Sequence, residues 1–120
     1  MKFFFILLFC FLFLFGCKND NPDKKRLEIN TMKLIMWDML KADEWYIRKS
    51  LADSTLKKKR EDIRLYEQVF LLHHITRKQY YYSYQYYEAH PVEFKVLIDS
   101  VDAFANREKE KLISIHKQSK

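Results

Sequence analysis

Glycine occurs once in this sequence and proline only twice. A turn-dense all-β chain, a collagen-like repeat and a Gly-rich linker all need more of them, so these classes are excluded. Cysteine occurs twice, too few for a disulfide framework or a four-cysteine zinc site. A Gly-rich phosphate loop, a His-Glu-x-x-His pair and a nucleophile elbow are all missing. His73 and His74 are adjacent, so on a helix their rings diverge by about 100° and cannot readily chelate one ion. Asp38 and Asp43 are five apart and face different ways, which makes a poor acid–base pair. The sequence therefore predicts no catalytic residue, no metal and no cofactor. Its 120 residues suit one small domain.

What the chain has in excess lies at its start. Seven of its ten phenylalanines fall within residues 3–15, an uncharged apolar run behind the single positive charge of Lys2. As a helix that run rises about 20 Å, short of the roughly 30 Å hydrocarbon core of a bilayer, so it reads as a signal peptide and not as a span. It ends Leu14-Phe15-Gly16-Cys17, which resembles a bacterial lipobox. That resemblance implies removal of residues 1–16 and lipidation of Cys17. Ordinary secretion and an uncleaved anchor are the alternatives. Acyl chains contribute about 0.8 kcal/mol per buried methylene, so several of them make a firm membrane anchor.

Residues 17–29 then read as the lipidated cysteine and a flexible polar tether, on the order of 15–20 Å in reach. Residues 30–116 read as a helical domain, and 117–120 as a frayed end. The expected fold is all-α, a small bundle of about four amphipathic helices. Met32, Ile35, Met36, Met39, Leu40, Tyr46 and Ile47 share one face of the first helix. Asp43 sits in the middle of that face and needs a partner there, from a Tyr, an Arg or a His. A second helix is predicted over Leu56–His73, with Leu56, Ile63, Tyr66, Phe70 and His73 on one side. The basic run Lys57-Lys58-Lys59-Arg60 would then spread around the axis as a solvated face, and export argues against nucleic acid as a partner.

His74-Ile75-Thr76 predicts a tight helical hairpin. His74 stands where a helix end wants a left-handed residue, and Thr76 with Gln79 fits a capping box. The third helix, Arg77–Ala89, carries six tyrosines between Tyr80 and Tyr87. Tyr80, Tyr84 and Tyr87 converge on one face, while Tyr81 and Tyr82 point elsewhere and are candidate ligand contacts. Asp43, Tyr86 and Tyr87 are candidates for a buried polar network. His90-Pro91 closes this helix and opens a fourth, whose stripe is Phe94, Leu97, Ile98, Val101, Phe104, Ala105 and Leu112.

Met32, Asp38, Met39, Ala42 and Asp43, then Tyr66 and Phe70, then the series Ile75-Thr76, Tyr80, Ser83, Tyr86-Tyr87 and His90-Pro91 resemble the bacterial lipoprotein family called domain of unknown function 4296. The resemblance implies a helical fold and an envelope location, with no activity to carry across. His74 departs from the family's usual Gly, and Asp43 from its commoner Glu. The expected function is that of a lipid-anchored envelope lipoprotein, in the outer membrane and facing either the periplasm or the surface. It would be a non-catalytic helical module that binds another envelope protein, with Trp37 and Trp45 as anchors of a contact patch. The alternative is a lipoprotein that binds a small ligand or a glycan on the Tyr81/Tyr82 surface.

Overall fold

Residues 21–119 are the described part of the chain in a computed structural model. The apolar run and Cys17 lie outside the described residues. A 3-10 turn, Pro22–Lys24, precedes α1 (Ile29–Ala52), α2 (Thr55–Lys58), α3 (Glu61–Leu72), α4 (Arg77–Glu88) and α5 (Pro91–Gln118). No strand occurs among the described residues, and four of the five helices are long. The fold is the all-α bundle that the 3.6-residue periodicity dictates. The last helix runs two residues past the expected end at His116.

The domain begins before residue 30. Leu27 is buried, and three side chains of α4 hold the strand of chain in front of α1. Gln79 Nε2 donates to the Lys25 carbonyl at 3.2 Å, the Leu27 N–H donates to Ser83 Oγ at 2.8 Å, and Tyr87 Oη donates to the Leu27 carbonyl at 2.8 Å. Gln79, Ser83 and Tyr87 are spaced four apart, so they form one row along the helix. Arg26 adds an ion pair to Glu93 at 3.3 Å and lies 4.3 Å from the centre of the Tyr86 ring. The last residues of the expected tether are thus part of the core.

That clasp sets the directions of the two longest helices. Arg26, just ahead of α1, meets Glu93 in the first turn of α5, and Trp37 meets Phe104 the same number of residues further along each. The two helices therefore run side by side in the same direction. Against α1, α3 runs the other way, because Asp38 meets His73 while Asp43 meets Tyr66. Met32 and Ile35 of α1, Phe70 of α3, Tyr87 of α4 and Leu97 of α5 fill the centre. After Ile35 the only buried residue of α1 is Ser50, and α5 buries none after Val101. The apolar stripes of both helices outrun their cover.

Two left-handed residues make the corners. His74 (φ 53°) follows α3 as expected, with His74 N–H donating to Leu71 O at 3.1 Å and Ile75 N–H to Phe70 O at 3.0 Å. This paired closure is a Schellman motif with histidine in the glycine position. Thr76 Oγ1 then accepts from Gln79 N–H at 3.0 Å and starts α4. The Gln79 side chain does not return to the cap, because it is held by Lys25.

The expected continuous helix over Leu56–His73 is broken. Arg60 (φ 52°, ψ 44°) separates the single turn of α2, started by Asp53 Oδ1 accepting from Thr55 N–H at 2.9 Å, from α3. Four successive cations in one helix repel each other. The break instead leaves Glu61 and Asp62 in a fresh first turn, where acidic groups suit the helix dipole.

Two substitutions check these constraints. Ser83→Ala leaves the buried Leu27 N–H without its acceptor and lowers stability by about 1–3 kcal/mol in urea unfolding, with faster hydrogen exchange at the Leu27 amide. His74→Gly removes the side-chain penalty of a left-handed residue and raises stability by roughly 0.5–1 kcal/mol in the same measurement.

Candidate functional site

A groove of about 570 Å³ opens where four helices converge. Helix α1 supplies Met36, Met39, Leu40 and Asp43 to its wall, and α3 supplies Tyr66. Three tyrosines of α4 (Tyr80, Tyr81 and Tyr84) face Ile98, Val101, Asp102 and Ala105 of α5. The volume falls in the range of ligand-binding clefts, and the wall is mostly apolar and aromatic with a few polar groups, as such clefts are. The wall arises because the one-turn periodicity of α4 stacks Tyr84 on Tyr80, ring centres 6.1 Å apart and 26° between planes. Tyr81 then stands edge-on to Tyr80 at 5.3 Å.

Asp43 finds its partner in Tyr66, whose hydroxyl donates to Oδ1 at 2.6 Å. Burial, and then this bond to a carboxylate, push the Tyr66 hydroxyl well above the ordinary tyrosine value. Burial chiefly, with Tyr84, Tyr81 and Asp43 adding to it, pushes Tyr80 up to about 12. Both phenols therefore stay neutral at physiological pH, and the fixed charge of the groove comes from its carboxylates. Asp43 Oδ2 receives no hydrogen bond from any described residue, and Asp102 is touched only by Asn106 Nδ2 at 3.3 Å.

The structure does not assemble Asp43, Tyr86 and Tyr87 into one network. Tyr87 is fully buried and serves the Leu27 carbonyl, while Tyr86 Oη donates to Glu93 Oε1 at 2.9 Å and its ring stacks on His90 at 4.0 Å. Both tyrosines belong to the clasp: Tyr87 lies in the row that faces the incoming chain, and Tyr86 beside it meets Arg26 and Glu93. Tyr66, one helix closer to α1, reaches Asp43 instead.

Trp37 is half-buried, edge-on to Phe104 at 6.2 Å, whereas Trp45 is exposed. Eight residues apart, the two indoles diverge by about 80° around α1 and do not form one surface. Tyr81 and Tyr82 are both exposed, and Tyr81 also stands in the groove wall. The two rings together border a second cleft of about 440 Å³ between α4 and the 3-10 turn, with Asp23, Lys24 and Gln85. Cys17 lies outside the described residues.

Sequence reasoning did not find Asp102 or the pairing of Asp38 with His73. The signal for Asp102 was its place directly after Val101 and four before Asn106. Asp38 Oδ2 lies 2.7 Å from His73 Nε2, and Lys41 Nζ lies 2.6 Å from Oδ1. Partial burial pushes this carboxyl up, but the hydrogen bonds and charges of Lys41 and His73 outweigh it and hold the carboxyl below its ordinary range. The contact braces α1 against the end of α3. Among the described residues, no group of three or more His, Cys, Asp and Glu side chains is placed to hold a metal ion, and no helix is long and apolar enough to cross a membrane.

A folded pKa below the unfolded one stabilises the protein above the unfolded value and stops doing so as pH falls through the folded one. Asp38→Asn therefore costs roughly 1–2 kcal/mol at pH 6–7, discounted for the partial exposure of the carboxylate. The gap between variant and wild type in urea unfolding closes as pH falls below the ordinary carboxyl value of 3.8.

No curated protein and no solved structure matches the chain. A family model does, over residues 24–111, which begins at the clasp and ends beyond the groove. The span contains every residue of the Asp43–Tyr66 pair, the Ser83 clasp and the groove wall. The chain thus belongs to the family described as Domain of unknown function (DUF4296).

Proposed function

We propose that this protein is a lipid-anchored lipoprotein of the bacterial cell envelope, in the outer membrane, that carries out no catalysis and binds another envelope protein along its groove. The observation that carries this reading is an apolar track longer than the groove. Leu40 and Ile47 lie seven residues apart on α1, and Ile98, Ala105 and Leu112 lie seven apart on α5. Seven residues are close to two helical turns, so each set stays on one stripe as it passes beyond the groove. Leu40, Ile47 and Leu112 are 51%, 57% and 68% exposed. A small ligand would use only the groove. An amphipathic segment of a partner would cover the groove and both continuing stripes, with anchors spaced as helix-in-groove recognition requires.

The anchor rests on Leu14-Phe15-Gly16-Cys17 and the apolar run before it. A membrane-held chain meets its partner at a raised local concentration, so a modest interface suffices for a stable complex. Small-ligand binding draws support from one observation, the cleft that Tyr81 and Tyr82 line together beside the 3-10 turn.

The test pairs two sets of variants of the full-length chain, expressed in a Gram-negative host with its own envelope proteins. Cys17→Ser is expected to leave the membrane fraction, and retention there overturns lipid anchoring at this residue. Leu40→Glu with Leu112→Glu changes two exposed positions and alters stability by no more than about 0.5 kcal/mol each. A protein that co-purifies stoichiometrically with the wild type from gently solubilised membranes is expected to be lost from this double variant. Retention by the double variant overturns the track as the binding surface.

A further inference from the structure

The groove is electrostatically unlike the rest of the molecule. The chain carries a net charge of +6 and 22 lysines and arginines, yet among the described residues no lysine, arginine or histidine lines the groove. Its charged groups are Asp43 and Asp102, and among the described residues neither makes an ion pair. Tyr66 occupies Asp43 Oδ1 and leaves Oδ2 available. Three tyrosines of α4 line the same space. Asp43 is half-buried and Asp102 exposed at the rim; a carboxylate beside apolar walls, as Asp43 is, attracts a cation more strongly than one in open water, because the walls lower the local dielectric constant. Tyrosine faces add a cation–π attraction. A neutral apolar group would gain from the walls alone, and an anion would meet two like charges.

Resting on the reading of the groove as a binding site, we infer that it selects a cation on an apolar stem: a lysine or arginine side chain of the partner's segment, flanked by apolar residues. The stem of such a side chain packs on Met36 and Met39 while its head reaches the carboxylates. A phosphate, a carboxylate or an acidic peptide is excluded by the same charges.

The full-length lipidated protein in discs of zwitterionic lipid, with its methionine methyls labelled for NMR, allows a direct test. Butylammonium copies the lysine side chain; butanol and butyrate are its neutral and anionic counterparts. Butylammonium is expected to half-saturate the shifts of the Met36 and Met39 methyls at a concentration at least about fivefold lower than butanol, with butyrate weakest. In Asp43→Asn with Asp102→Asn the difference between butylammonium and butanol should shrink to within about twofold. The amide introduced by Asp43→Asn can still accept the Tyr66 hydroxyl, so the fold is kept. Equal binding of butanol and butylammonium to the wild type overturns the cation and leaves the groove reading standing. A butylammonium preference that survives in the double variant overturns the role of the two carboxylates. No methyl shift with any of the three overturns the groove as a binding site as well.

Discussion

The hydroxyl of Ser83 accepts the Leu27 N–H and donates to the Gln79 carbonyl four residues back, both at 2.8 Å. It is fully buried, so its polar atoms and those of Leu27 would be costly if left unpaired. This one contact decides where α1 begins. With Leu27 fixed on α4, Arg26 falls beside Glu93 and Tyr86, and α1 has to leave the clasp next to the first turn of α5. The parallel run of α1 and α5 follows, and so does the crossing of α3 from the opposite direction. Core residues Met32, Ile35, Leu97 and Val101 then meet in the first half of each long helix, which is where all four elements are close enough to exclude water.

The same constraint explains the open side of the molecule. Helices α3 and α4 have twelve residues each, α1 has 24 and α5 has 28. Short helices joined by a Schellman corner cannot cover two long ones along their whole length. The groove lies at the margin of that cover, with buried Val101 and Tyr80 on its inner side and exposed Leu40 and Ile98 at its rim. Its polar groups are those that the bundle leaves over once Tyr66 has taken one oxygen of Asp43. A site of this kind costs the fold little, since its side chains are already held by neighbours that pack on the core.

Local chemistry was legible in the sequence to the extent that it is local. Thr76 caps α4, His74 adopts the left-handed conformation and Pro91 opens α5, because each depends on residues within one turn of itself. The stripe Met32, Ile35, Met36 and Met39 also faced the core, since amphipathic spacing carries that information directly. Pairings between distant segments were not legible. A tyrosine for Asp43 was among the expected classes of partner, but nothing in its spacing distinguishes Tyr66 from Tyr86 or Tyr87. Gln79 fitted a capping box equally well as a reach to Lys25, and the second outcome depends on where residue 25 lies in space. Arg60 shows the converse: repulsion in a basic run and an acidic first turn after it favour a break that the hydrophobic period alone conceals.

Charge and shape in the groove also bear on each other. Were the groove simply unfinished core, a cation would be expected beside each carboxylate, as Lys41 and His73 stand beside Asp38 and Arg26 beside Glu93. Ion pairs on this molecule form readily, and basic side chains are abundant enough to supply them. Among the described residues Asp43 and Asp102 form no ion pair: half-buried Asp43 accepts the Tyr66 hydroxyl, and exposed Asp102 accepts the Asn106 amide. Two charges held along an apolar wall, on a chain whose net charge is positive, are what a site for a cation-bearing apolar segment requires and what a purely structural groove does not.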